Sequence, residues 1–430
     1  MKGNLIIRNA AELVTCSGTA ARCGEAMQDL GVISDGAVVV HEGIISAVGK
    51  TRDILGKIDT RGFTVIDAEG RTVLPGFVDS HTHLVFDGYR ADEFSWRLRG
   101  DSYMDIMQRG GGIARTVAAT RAVSSAQLVA SGLKRLDSML SFGVTTVEGK
   151  SGYGLDLDTE IKQLEAMVEL DAIHPVEVVR TFLGAHAVPA AYRDCGEAYI
   201  DFLCSDVLPV VAERKLADFC DIFCEKDVFS IDQSRRLLLE ARQAGLGIKL
   251  HADEIVPFGG AELAAELGAV SADHLLHASD TGIRRLAQAG VVCTLLPLTA
   301  FSLKEPYARS RFMIDSGCAV SLASDFNPGS CFSESIPLII ALATLYMGMS
   351  PEETITALTI NGAAALGRAR TIGSIEAGKQ GDLVIHEFPS YRYLPYHIGV
   401  STVEKVFKNG TLVYDKTLME ARIARKPAHS

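Results

Sequence analysis

Histidine is scarce in this 430-residue chain, eleven in all, and positive charge is in deficit, with 42 Lys and Arg against 53 Asp and Glu. The resulting formal charge of −11 argues against a nucleic-acid partner, because such binding rests on basic surface. It leaves room for an anionic small molecule, which a single local Arg can hold. The nine cysteines are an odd number spread over a long chain, which does not suit a disulfide framework. Most read as small core residues. Cys220 and Cys224 have a spacing that could suggest metal, but they fall in a strand followed by a turn and read as buried thiols. No stretch approaches the ~20 apolar residues of a membrane helix. The start, Met1-Lys2-Gly3-Asn4-Leu5-Ile6-Ile7-Arg8, has no apolar run with a cleavage site. The expected setting is therefore the reducing cytoplasm, away from membranes. The 40 Gly and 13 Pro show no period, which excludes a collagen-like chain, and no short repeat marks a solenoid. With 47% apolar and 22% charged residues the chain is not disordered. Its length suits two to three domains, or one large barrel with an attachment.

The first ~70 residues read as short strands. Asn4 to Ile7 is one, Gly36–Val40 and Ile44–Val48 form a hairpin across His41-Glu42-Gly43, and Thr64–Ala68 is another. The end of the chain has the same texture: Asp382–Ile385 is a strand, and Val403–Phe407 with Thr411–Tyr414 forms a hairpin about Asn409-Gly410. Between them, apolar runs alternate with helical stretches such as Leu133–Ser141 and Ala261–Leu267. The runs are Gly76–Ser80, Val144–Glu148, Val176–Arg180, Phe219–Phe223, Gly247–His251, Ala272–Leu275, Val291–Thr294 and Ala319–Ala323. Eight such units suggest a (β/α)8 barrel, although the spacing alone also fits a doubly wound sheet. The expected organisation is α/β: a (β/α)8 TIM-like barrel over 73–373, with a small β-sandwich domain built from both termini, 1–72 and 374–430.

Several of the scarce histidines fall at the C-terminal ends of the expected strands, the face on which barrels carry their active sites. His81 and His83 follow the first strand. In an extended chain, residues two apart share a face, so two imidazoles can converge on one metal ion. A bare His-x-His is also what two polar loop residues look like; the preceding Leu74–Asp79 and the alternating strands favour the ligand reading. His251 ends the fifth strand with Glu254 three residues on, a possible third neutral ligand beside a carboxylate able to move protons. A strand-end His capping the next helix is the plainer alternative. Asp325 follows the eighth strand and can bind metal or orient a water; alone, it would read as a turn before Asn327-Pro328-Gly329. In a barrel, strands 1, 5 and 8 meet at one mouth, and three His with one Asp suit Zn2+ or Fe2+. His186 and His274 end intermediate strands and are open to second-metal, substrate or proton-carrying roles. His277 reads as structural. His41, His174, His386, His397 and His429 read as surface or second-domain residues. Three glycine-rich stretches, Gly110–Gly112, Ser151–Gly154 and Asn327–Ser330, match neither a dinucleotide fingerprint nor a P-loop. They are expected to be mobile mouth loops presenting backbone N–H groups to anions.

These residues resemble the metal-dependent amidohydrolase superfamily, over nearly the whole chain and including the closing stretch Gly373–Val384. Longer strings carry a narrower resemblance: HTHLVFDGYRADEF at 81–94, GGGI at 110–113, EGKSGYGLDLDTE at 148–160, TFLGAHAVP at 181–189, FCDIFCEKDVFS at 219–230 and SDFNPGS at 324–330. They are similar to the branch that hydrolyses the cyclic amide of 4-imidazolone-5-propanoate to N-formimino-L-glutamate in histidine degradation. That resemblance implies one Zn2+ or Fe2+/Fe3+ per chain, held by His81, His83, His251 and Asp325. It implies that Arg90, Tyr153, His186 and Glu254 hold the substrate. Asn327, Gly329 and Ser330 would meet the product, His274 would lie beside the reacting carbonyl, and Glu254 or Asp325 would shuttle the proton. A homodimer is implied as well. Asp87 stands where the family often has Gly, close enough in sequence to pair with Arg90, and Ser330 stands where Thr is common. A carboxylated Lys bridges two metals in some related enzymes, a role not expected of Lys150 ahead of its Gly-Tyr-Gly loop. Two other readings share part of the pattern. A metal-dependent deaminase of a nucleobase-like heterocycle would use the same ligands but give Arg90 no carboxylate to bind. A non-catalytic barrel scaffold would have lost ligands that are all present here.

Overall fold

The computed structural model describes residues 2–101 and 109–418. The tail of the expected 374–430 segment, 419–430 with His429, lies outside the described residues. The strands in chain order are β1 (Leu5–Val14), β2 (Val32–His41), β3 (Ile44–Lys50), β4 (Thr64–Asp67), β5 (Thr72–Pro75), β6 (Phe77–Asp79), β7 (Val144–Lys150) and β8 (Glu177–Ala185). They continue with β9 (Phe219–Cys224), β10 (Gly247–Ala252), β11 (Ser271–His274), β12 (Val292–Leu295), β13 (Ala319–Leu322), β14 (Leu383–His386), β15 (Val403–Lys408) and β16 (Thr411–Asp415).

Strands from both chain ends share one sheet in the order β16-β15-β14-β5-β1-β2-β3, with β4 paired to β1. The ends are joined where β14 runs antiparallel to β5, Leu383 opposite Pro75 and Ile385 opposite Val73. Alternation explains why this sheet holds: Leu5, Ile7, Val38, Val40, Leu383, Ile385 and Phe407 bury one common apolar cluster. Asn409 and Gly410 both take left-handed backbone, as a two-residue hairpin turn requires. β5, not expected as a separate strand, carries the chain from this sheet into the barrel.

The second sheet runs β13-β12-β11-β10-β9-β8-β7-β6, with parallel neighbours throughout. It closes into a barrel through a parallel bridge between Thr82 and Phe326. His83 N donates to Phe326 O at 2.9 Å and Asp325 N to His81 O at 3.0 Å. A doubly wound sheet would leave β6 and β13 as free edges; here they meet. All eight expected strands occur in this barrel. The intervening helices are longer than expected at their starts. Ser125–Ser141 begins at a capping box in which the Ser124 side chain accepts from Gln127 N and the Gln127 side chain accepts from Ser124 N.

Candidate metal centre and binding site

The seam that closes the barrel also sets the site. His81 and His83 leave the end of β6, His251 lies within β10, His274 ends β11, and Asp325 follows β13. His274 and Asp325 have φ values of 74° and 51°. Non-glycine residues adopt this conformation at a cost of about 1–3 kcal/mol, met where the surrounding structure fixes them.

The imidazoles form a ring of close neighbours. Centroids of His81 and His251 are 4.7 Å apart, His81 and His83 5.4 Å, and His251 and His274 5.1 Å. Ligand atoms of His81, His83 and His251 lie within 4.8 Å of one another, as do those of His81, His274 and Asp325. Asp325 Oδ1 faces His81 Nε2 at 3.5 Å and His83 Nε2 at 3.6 Å, while its Oδ2 accepts from Thr299 Oγ1 at 2.6 Å. Burial drives the pKa of His81, His83 and His274 well below the usual histidine value, so these rings are neutral. Burial also opposes charge on His251, but the Asp221 carboxylate outweighs it and the net direction is up. Burial raises Asp325 to about 6. The Nε2 atoms of His81 and His251 are buried and make no hydrogen bond. A buried acceptor without a partner is costly, and three imidazole nitrogens with one carboxylate match the donors preferred by Zn2+ or Fe2+. The residues fit a divalent metal.

Several of the expected binding residues lie against this ring, His186 and Tyr153 beside His83 and Glu254 beside His274. His186 stacks on His83 at 4.9 Å with planes 16° apart, and Tyr153 sits 5.3 Å from His186 and 5.8 Å from His83. His186 Nδ1 lies 3.1 Å from Gly152 O. Gly152 has φ 104° and no space for a side chain, since a Cβ there would stand 2.8 Å from Leu183 O and 2.9 Å from His186 Nδ1. Glu254 Oε2 is 3.4 Å from His274 Nε2, and burial followed by the charge of Asp325 raises Glu254 to about 8. Asn327 donates to Asp325 O at 2.7 Å and accepts from Gly329 N and Ser330 N, both at 2.8 Å.

Two expectations are corrected. Asp87 does not hold Arg90; the guanidinium binds Glu93, with Nε 2.8 Å and Nη2 2.7 Å from Oε2. Glu93 is buried on the first turn of the helix Ala91–Leu98, one turn from Arg90. The stretch 151–155 is not an open loop. It is buried, and its N–H groups are already spent on Glu160, which accepts from Gly152, Gly154 and Leu155 at 3.0, 2.8 and 2.8 Å.

Sequence reasoning missed what lies beneath the ring. TIM barrels usually fill their interior with branched apolar side chains. Here Glu148, Lys150, Asp221, Lys249 and Asp273 are all fully buried there. Lys150 Nζ lies 2.7 Å from Asp221 Oδ2, 3.1 Å from Glu148 Oε2 and 3.4 Å from Asp273 Oδ2. Lys249 Nζ lies 2.8 Å from Glu148 Oε1. The available signal was the two-residue spacing of Glu148 with Lys150 and of Lys249 with His251, which puts each pair on one face of its strand.

A closed parallel barrel with a ring of buried histidines and one aspartate at the C-terminal ends of its strands defines a barrel hydrolase of the metal-binding kind. The family model described as "Amidohydrolase family" matches residues 72–413. An imidazolonepropionase of Clostridium tetani is 60% identical over 416 residues, 97% of this chain and 99% of that protein. One of Parabacteroides distasonis is 61% identical over 408 residues, 95% and 98% of the two chains. Among solved structures, a triazine hydrolase from Arthobacter aurescens superposes with a TM-score of 0.73 at 15% identity, over 99% of this chain and 100% of that one. The last likeness bears on the fold alone. The chain belongs to the amidohydrolase family and, within it, to the imidazolonepropionases.

Proposed function

We infer that the chain hydrolyses the ring amide of 4-imidazolone-5-propanoate to N-formimino-L-glutamate, a step of histidine degradation, and that His81, His83, His251 and Asp325 hold one Zn2+ or Fe2+/Fe3+ for it. Membership of the imidazolonepropionases supports the reaction. The observation that carries the substrate is Arg90. It rests against Gly329, in the same loop that begins with Asp325. A guanidinium forks onto a carboxylate, and the substrate's propionate supplies one, whereas a neutral nucleobase does not. Ligands that are all present and convergent also speak against a scaffold.

Held by His81, His83, His251 and Asp325, a divalent metal would act as a Lewis acid and would make water a competent nucleophile near neutral pH. The protein's part is to position and to move protons. Arg90 takes the propionate. Tyr153 and His186 flank the heterocycle, and His274 faces the reacting carbonyl, whose oxygen gains charge as water adds to its carbon. The ring C–N bond then breaks and the nitrogen needs a proton. Asp325 is engaged with Thr299 and the ligand ring, so we assign the transfer to Glu254, which is poised near neutrality beside His274. Such help is typically worth 10²–10⁴-fold. Asn327, Gly329 and Ser330 then meet the open-chain product.

No helix among the described residues is long and apolar enough to cross a membrane, and the nine cysteines form no disulfide. Likeness to the imidazolonepropionases supports a cytoplasmic homodimer as part of the same proposal. The test is incubation of metal-replete protein with 4-imidazolone-5-propanoate, following loss of its ultraviolet absorbance and appearance of N-formimino-L-glutamate. An unchanged substrate, with ammonia released instead from a nucleobase-like heterocycle, would overturn the reading in favour of a deaminase.

A further inference from the structure

The buried charges under the ring have a repeated geometry. Asp273 anchors Oδ1 on Ser271 Oγ at 2.7 Å and turns Oδ2 to His81 Nδ1 at 2.6 Å and to Lys150 Nζ at 3.4 Å. Asp221 anchors Oδ1 on Ile222 N at 2.7 Å and turns Oδ2 to His251 Nδ1 at 3.0 Å and to Lys150 Nζ at 2.7 Å. In each aspartate the same oxygen serves one imidazole and the same lysine. An imidazole that donates from Nδ1 to a carboxylate keeps its Nε2 unprotonated, and the outer carboxylate fixes the ring's direction. Both Nε2 atoms are without a hydrogen-bond partner; of the two Nδ1 atoms, that of His81 is hydrogen-bonded to its aspartate and that of His251 meets its aspartate as an ion-pair contact.

We propose that Lys150 is a positioning residue of the metal centre: its single ammonium sets Asp221 and Asp273 so that both hold their histidines, His251 and His81, with Nε2 presented to one ion. This rests on reading those two histidines as ligands. Three carboxylates and two ammoniums share this fully buried layer. Lys150 is the group within 3.4 Å of all three carboxylates, so removing it takes a contact from both aspartates together, while Lys249 stays 4.0 Å from Asp273 Oδ2. The same contacts exclude a carboxylated Lys150. Its ammonium already meets three carboxylates within 3.4 Å, two of them through hydrogen bonds, and a carbamate would add another negative charge among the three.

The test uses Co2+ as the probe, added to full-length apo-protein, with affinity and the visible absorption bands as readouts. Lys150→Met, Asp221→Asn and Asp273→Asn are each expected to weaken Co2+ binding by about 10–100-fold, the range for loss of such outer partners, and to shift the bands. The double variant Lys150→Met/Asp273→Asn should lose less than the product of the single losses, because both act through one contact. If Lys150→Met does not fold, the near-isosteric aspartate variants carry the same test. Wild-type affinity and bands in the variants that fold would overturn the proposal. His81→Ala separates it from the ligand reading: if His81→Ala binds Co2+ like wild type, the ligand reading fails; if His81→Ala loses binding while the network variants do not, only the positioning role fails.

Discussion

A Cβ placed on Gly329 would stand 2.4 Å from Nη1 of Arg90. Glycine at 329 therefore makes room for the guanidinium, which Glu93 holds through Nε and Nη2. Gly329→Ala should push the flexible tip of Arg90 aside, raising KM with little change in bound metal. Arg90→Lys keeps the charge but loses the fork and should raise KM substantially. Arg90→Ala should cost about 2–5 kcal/mol in kcat/KM, the range for truncating one partner of a buried charge pair. Steady-state kinetics at equal metal content check all three.

Glu160 stands to the Tyr153 stretch as Glu93 does to Arg90. Its carboxylate is buried and occupied by three backbone donors. Glu160→Gln replaces one accepting oxygen by an amide that cannot accept. The expected cost is about 1–3 kcal/mol of stability, with a raised KM as Tyr153 loses its support. Urea unfolding and kinetics on the same preparation measure both.

His386 predicts a pH dependence away from the site. It is buried in β14 beside Phe77, its Nδ1 2.9 Å from Thr402 Oγ1 and its Nε2 without a partner. Burial lowers its pKa to about 3. The unfolded chain takes up a proton at this residue below about pH 6.5, which the folded chain refuses until about pH 3. Stability is therefore full above pH 6.5 and falls as pH drops through that window, by up to roughly 3–5 kcal/mol from this group. His386→Gln keeps a partner for Thr402 without the titration. In metal-free protein, its unfolding free energy should fall less than that of wild type between pH 7.5 and 4.5; parallel losses would contradict the assignment.

The barrel and its mouth were legible because strand ends in such a fold converge, and His81, His83, His251, His274 and Asp325 all sit at those ends. What was not legible depends on facing. The strand holding Glu148 and Lys150 alternates as any strand does, and nothing in the alternation says that its charged face turns inward. The carboxylates that support His81 and His251 are separated from them by 192 and 30 residues, brought near only by the closed ladder. Glycines at 152 and 154 suggested a free loop because Glu160, which takes up its N–H groups, lies in the following helix.

The most direct test of the account is a titration of metal-free protein with Zn2+ or Fe2+ while the opening of the imidazolone ring is followed. Turnover should rise from none and break at one equivalent per chain, with elemental analysis of the washed protein giving the same stoichiometry. Full turnover in protein stripped of metal, or a break at two equivalents, would contradict a single centre held by His81, His83, His251 and Asp325.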